Sequence, residues 1–189
     1  SSHHDPASAR FHERGGLILS AVRMPKLSWS EVKERAVKFS REWADARSEA
    51  ADKQTFWNEF FDVFGITRKS VAAFEASVKK RTGHTGKIDL FWKGRLLVEQ
   101  KSRGEDLTAA QGQGFDYVSN LTSEGRLDEV PQFLIVSDFN RIALFDLDEP
   151  DVAAVPGPRK PLVFPLQELH RHVRAFAFML GQKAVRIRP

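Results

Sequence analysis

Cysteine is absent from the 189 residues, so no disulfide framework holds this chain together. The six histidines show no metal-ligand spacing, and without thiolates a zinc site is not expected. Long apolar runs are missing as well. None reaches the roughly 20 residues that cross a bilayer, so a membrane partner is not expected. Gly16 to Val22 is too short for a signal peptide and lacks a charged start followed by a cleavage site. No internal repeat is visible. These absences suit a reducing, cytoplasmic setting.

What is present points to one globular domain with a real core. Hydrophobic residues make up 41% of the chain, and fifteen Phe with four Trp make the expected core aromatic-heavy. The net charge of +4 and pI of about 9.5 are compatible with a phosphate-bearing partner.

The most informative segment runs from Gly86 to Ser102 and reads as a β-hairpin. Ile88, Leu90 and Trp92 alternate with Lys87, Asp89 and Phe91. Leu96 and Val98 alternate with Leu97, Glu99 and Lys101. Side chains alternate between faces along a strand, so Glu99 and Lys101 share a face. Asp89 joins them only if the loop is odd. A two-residue turn at Lys93-Gly94 would pair Asp89 with Val98 and mix polar with apolar side chains on both faces. A three-residue loop pairs Asp89 with Leu97 or Glu99 and gathers Ile88, Leu90, Trp92, Leu96 and Val98 on one apolar face. Because the buried face sets the register, an odd loop is expected, with Gly94 in a left-handed conformation. An ordinary amphipathic hairpin with a solvated charged face has the same spacing.

Two carboxylates and a lysine on one face match the needs of phosphodiester hydrolysis. A hard divalent ion on oxygen ligands acidifies a bound water and neutralises charge developing on the phosphate. Asp89 and Glu99 can supply carboxylate oxygens, and the Gln100 carbonyl a third ligand. Lys101 would orient the water or contact the phosphate. Magnesium fits this set, with manganese as a substitute.

Ile88-Asp89 followed by Glu99-Gln100-Lys101 resembles the two half-motifs of the PD-(D/E)XK nuclease superfamily, without the proline of its name. Gln113-Gly114-Phe115-Asp116-Tyr117 matches the Gln-x-x-x-Tyr motif of the RecB-like branch, and its ends share a helix face. The wording of Phe56 to Gly65, Phe74-Glu75, Leu96 to Ser102, Gln113 to Tyr117 and Val136 to Phe139 is similar to the N-terminal endonuclease domain of MmeI-type (type IIL) restriction-modification enzymes. The similarity covers roughly residues 30 to 185. It implies a magnesium-dependent DNA endonuclease fused to methyltransferase and target-recognition domains in one polypeptide. S-adenosylmethionine would be bound by the methyltransferase part. This chain has no Asn-Pro-Pro-aromatic motif and no Gly-rich methyl-donor loop, so it would be the nuclease portion alone. By the same resemblance Glu59, on the first core helix, is a candidate to reach the metal or its water. Gln113 and Tyr117 would support the site and contact the DNA backbone.

Residues 1–23 look foreign to the fold. They begin Ser-Ser-His-His, and Met24-Pro25-Lys26 reads like a natural start, so a tag remnant or translated upstream segment is expected. Residues 24–51 read as an N-terminal helical extension and 52–189 as the nuclease domain. Ser28-Trp29-Ser30-Glu31 is a capping box ahead of a helix with Val32, Ala36, Phe39 and Trp43 on one stripe. A second helix near Lys53 to Phe64 has Phe56, Trp57, Phe60, Phe61 and Phe64 as its buried arc, and Gly65 ends it. Val71 to Lys79 is ambiguous between helix and strand. By resemblance its second half is the first core strand, with Phe74, Ala76 and Val78 inward and Glu75 able to support the metal. Lys79-Lys80-Arg81 and His84 could track a DNA backbone. Leu107 to Leu121 reads as a helix despite Gly112 and Gly114, which suggest a close backbone approach. Gln132 to Ser137 and Ile142 to Asp146 read as strands, Glu149 to Pro161 as a Pro-rich loop. Leu166 to Leu180 reads as a final amphipathic helix whose His170 and His172 are expected as surface groups rather than ligands. Lys183 to Pro189 is a basic tail.

The expected fold is therefore α/β, a restriction-endonuclease-like core with a central mixed sheet flanked by helices. The expected partner is double-stranded DNA, with a dimer on DNA as the route to cutting both strands. A RecB-like exonuclease or repair nuclease, and a catalytically silent DNA-binding or docking domain, remain the alternatives.

Overall fold

The structure is a computed structural model that describes residues 27–46, 49–79, 85–148 and 160–180. The readings of residues 1–23, Lys80-Arg81, His84, most of the Pro-rich loop and the basic tail lie outside these residues. The elements are helices α1 (Trp29–Glu42), α2 (Glu49–Val63) and α3 (Arg68–Val71), and strands β1 (Ala73–Lys79), β2 (Thr85–Trp92) and β3 (Leu96–Gln100). Helix α4 (Leu107–Ser123) then leads to β4 (Phe133–Ser137), β5 (Arg141–Asp146), β6 (Leu162–Pro165) and α5 (Leu169–His172). The strands form one six-stranded sheet in chain order. Only β3 and β4 pair in parallel, joined by the α4 crossover; all other neighbours are antiparallel. The sheet is mixed and flanked by helices, as the sequence predicts.

Local chemistry explains the helix ends. Ser28 accepts a hydrogen bond from the Glu31 backbone N–H at 3.1 Å and starts α1. Val32, Ala36 and Phe39 are buried along its inner stripe. The five aromatic residues of the predicted arc, four in α2 and Phe64 just past its end, are each no more than 2% exposed. Each contributes roughly 1.5–3 kcal/mol through burial. Gly65 follows with φ of 73°. Asp106 caps α4 by accepting from the Thr108 N–H at 2.8 Å.

The sheet is covered on both faces. One cluster joins α1, α2 and the C-terminal helical segment to Leu90, Leu96, Val98, Ile135 and Leu144. The other joins α4 to Phe91, Leu97, Leu134, Val136 and Phe145. Ile88 departs from the expected alternation. It lies past the last β2–β3 pair, Leu90↔Val98, and packs with Phe91 and Leu97 rather than with Leu90. Strand β6 was not foreseen; its signal was the apolar run Leu162-Val163-Phe164 between two prolines.

The C-terminal segment is also not the single α-helix expected. It winds as 3-10 turns over Leu166–Glu168 and Val173–Leu180, with a short α5 between. Its buried residues Val173, Phe176 and Met179 recur every three positions, which three residues per turn bring onto one stripe. His172 is partly rather than fully exposed. Its ring stacks on Phe164 at 4.5 Å, and burial lowers its pKa.

Helix α4 lies close to β4. A Cβ on Gly114 would stand 2.7 Å from Leu134 Cδ1, whereas one on Gly112 would meet nothing within 4 Å. Gly114 therefore answers the conflict between glycine and helix by allowing close packing, and Gly112 does not. In thermal or urea melts Gly112→Ala should stabilise by up to ~1 kcal/mol. Gly114→Ala gains the same propensity but loses roughly 1–3 kcal/mol to overpacking, so it should be the less stable of the two.

The hairpin end is tied down by Glu129, whose carboxylate accepts from Arg126 and pairs with Lys93 at 3.1 Å. The Arg126 hydrogen bond is the main cause that pulls the Glu129 pKa down to about 2. A depressed acid contributes stability that is full above its unfolded pKa and lost as pH falls through the folded one. Glu129→Gln should therefore lower stability at neutral pH by no more than ~1 kcal/mol. It should also flatten the acid side of the stability profile between about pH 4.5 and 2. Melts across that range check both.

Candidate active site

The turn geometry decides whether the acids meet. Pairs Trp92↔Leu96, Phe91↔Leu97 and Leu90↔Val98 leave a three-residue loop, Lys93 to Arg95. Gly94 has φ of 72°, and the Arg95 N–H donates to the Trp92 carbonyl at 3.0 Å. The Gly94 N–H also donates to the Glu129 carbonyl at 3.0 Å. The odd loop is thus present, and the β2–β3 ladder ends at Leu90↔Val98, one residue short of Asp89 and Glu99.

Beyond that pair the ladder ends in side-chain bonds. Asp89 Oδ2 accepts from the Gln100 backbone N–H at 2.7 Å. Asp89 Oδ1 accepts from Lys53 Nζ at 2.8 Å, an ion pair with side chains 13% and 15% exposed. Glu99 is 4% exposed on the α4 face, with Val136 beside it in β4. Gln100 points the other way. Its Oε1 accepts from Trp57 Nε1 at 3.0 Å, and its Nε2 donates to the Lys101 carbonyl at 2.9 Å. Lys101 is half-buried just past β3, its backbone N–H on the Ser137 carbonyl at 2.7 Å. Asp89 and Gln100 are therefore joined directly, and the backbone sets Glu99 and Lys101, which flank Gln100 in the chain, near them.

Other expected residues are placed differently. Glu59 accepts from the Trp43 indole at 2.5 Å, on the side of α2 that meets α1. Its carboxylate is engaged there because Glu59 lies six residues past Lys53, well round the helix from the face that reaches Asp89. Gln113 is exposed, but Tyr117 is 4% exposed, its ring edge-on to Phe91 at 5.4 Å. The Tyr117 hydroxyl is buried without a hydrogen-bond partner among the described residues. Burial pushes its pKa up to about 12, opposed by Arg126 and reinforced by Glu129 and Glu124. A neutral, enclosed phenol makes no contact with a DNA backbone in this conformation. For Glu75 the backbone register is informative: it falls between the pairs Phe74↔Leu90 and Ala76↔Ile88, across from Asp89.

The structure adds residues that the sequence reading passed over. Lys53 had a signal: Lys53, Trp57, Phe60 and Phe64 recur at four-three-four spacing, which puts a lysine on the buried stripe of α2. Arg103 binds the Ala44 and Ala46 carbonyls at 2.8 Å each and Asn140 Oδ1 at 3.2 Å. Asp138, 2% exposed, accepts from the Asn140 and Arg141 N–H groups at 3.1 and 2.8 Å. Those bonds help hold Phe139 at φ of 66°, its ring buried against Phe56. Arg103 and Asp138 fasten the loops on either side of the Lys101 segment.

As a cation site the cluster offers hard oxygen donors, and Asp89 already carries the Lys53 ammonium as a resident cation. Among the described residues no three His, Cys, Asp or Glu side chains gather closely enough to hold a metal ion. Two carboxylates with a backbone carbonyl and water suit magnesium, which keeps several waters and uses few protein ligands.

A family model described as MmeI, N-terminal domain, matches residues 34–189. No curated protein matches the chain. Among solved structures, a chain of the cryoEM structure of a DrdV-DNA complex is similar with a TM-score of 0.47 and 14% identity. The likeness covers 77% of this chain and 14% of that one, so the chain spans a small part of that relative's length. Among the described residues no helix is long and apolar enough to cross a membrane. Matched over most of its length, the chain belongs to the family of the MmeI N-terminal domain.

Proposed function

We propose that this domain is the DNA endonuclease module of a restriction-modification enzyme, with a restriction-endonuclease-like core. The observation that carries the reading is the odd loop Lys93 to Arg95 together with the Gln100 N–H on Asp89 Oδ2 at 2.7 Å, Gln100 being flanked by Glu99 and Lys101. Membership in the MmeI N-terminal domain family supports it. Asp89 and Glu99 would hold magnesium, or manganese in its place, with the Gln100 carbonyl as a further ligand. When bound, the ion supplies Lewis acidity toward the scissile phosphate and a water. The protein's own contribution is positional. Trp57 and the Lys101 carbonyl fix the Gln100 side chain, and the Gln100 N–H fixes the Asp89 carboxylate. Anchoring of the Lys101 N–H by Ser137 holds the lysine where its ammonium can donate to a water or a phosphate oxygen. Exposed Gln113 is available to the DNA backbone. S-adenosylmethionine and base recognition belong to other domains of a longer polypeptide.

A second reading, a catalytically silent DNA-binding or docking domain, is favoured by one observation: Lys53 already neutralises Asp89. Metal titration separates the two, since a silent domain gives a melt indifferent to magnesium and manganese.

Glu99→Ala and Lys101→Ala should each slow magnesium-dependent cleavage of plasmid DNA by at least about a hundredfold. Their far-UV circular dichroism should stay that of the parent. The assay is run on the polypeptide that carries this domain. Cleavage at the parental rate by either folded variant would sink the assignment.

A further inference from the structure

Lysine is rare on the buried stripe of a helix, yet Lys53 stands one turn before Trp57 on the face of α2 that meets the ends of β2 and β3. Its ammonium is 2.8 Å from Asp89 Oδ1, and both side chains are mostly enclosed. The other Asp89 oxygen is taken by the Gln100 N–H at 2.7 Å. Each oxygen of this carboxylate thus has a donor on it, and the Lys53 ammonium repels a divalent ion that approaches Oδ1. Charge points the same way, because the Lys53 ammonium balances the Asp89 carboxylate that an arriving cation would need. Trp57 is fully buried and bonded to Gln100, which fixes the helix that carries Lys53 relative to the carboxylate.

We propose that Lys53 is a built-in competitor for the metal: a positioning residue that holds Asp89 in place before loading and must be displaced by the ion. The inference rests on the reading of Asp89 and Glu99 as metal ligands. An exposed surface lysine would be worth little here. Partial burial strengthens the pair, because screening by solvent and salt is weak at such a site. Loading therefore costs the breaking of this pair, and the free domain should bind divalent ions weakly.

Calorimetric manganese titration of the folded protein tests this without relying on cleavage. Lys53→Met, which keeps the length and removes the charge, should bind manganese at least about tenfold more tightly than the parent. Lys53→Arg should behave like the parent, and Asp89→Asn should lose binding. Unchanged or weaker binding by Lys53→Met, with binding still abolished in Asp89→Asn, overturns the role of Lys53 and leaves the metal-site reading standing. No binding by either the parent or Lys53→Met overturns both. Should Lys53→Met fail to fold, the parent decides by mass spectrometry. Acetylation of the Lys53 amine should rise severalfold when manganese is added, and an unchanged or lower extent overturns the proposal.

Discussion

Strand β3 is buried along its whole length, and everything at the site follows from having to place two polar residues at its end. Glu99 and Gln100 are neighbours, so alternation sends them to opposite sides of the sheet, and both sides are packed. A buried polar group without partners costs on the order of 1–3 kcal/mol, so each must be met by another element. Gln100 is met by Trp57 from α2 and by the Lys101 carbonyl. Its N–H, which lies beyond the last β2–β3 ladder pair, is met by Asp89. One carboxylate thereby ends the ladder.

The constraint extends to both ends of the hairpin. At the turn, Gly94 takes a left-handed conformation and donates to the Glu129 carbonyl, and a Cβ there would stand 3.1 Å from the Asp128 carbonyl oxygen. The same segment binds Lys93 through Glu129. At the other end, Arg103 and Asp138 fasten the loops that follow β3 and β4. Register is thus held at both ends, which matters because a slip of one residue would turn the strand's buried side chains to the other face.

Helix α4 illustrates a motif whose two ends part company. Gln113 and Tyr117 are one turn apart, yet the first is exposed and the second enclosed. The helix sits so close to β4 at Gly114 that the residue one turn past Gln113 is drawn under the sheet's edge, against Phe91. Spacing fixes an angle of about 40° between such residues. Which side of that angle falls inside depends on how deeply the helix docks.

The hairpin and its odd loop were legible in the sequence because each follows from local rules: period-two alternation, the left-handed tolerance of glycine and the demand for a consistent apolar face. The aromatic arc of α2 and the Ser28 cap were legible for the same reason. Tertiary structure decided what depends on neighbours distant in the chain. It set Lys53 on Asp89 across a separation of 36 residues, turned Glu59 to Trp43, enclosed Tyr117 and moved Ile88 to the other cluster. It also wound the C-terminal segment more tightly than an α-helix. Sequence period specifies which face of an element a residue occupies; only packing specifies what that face meets, and the partners of a charged group are chosen by that meeting.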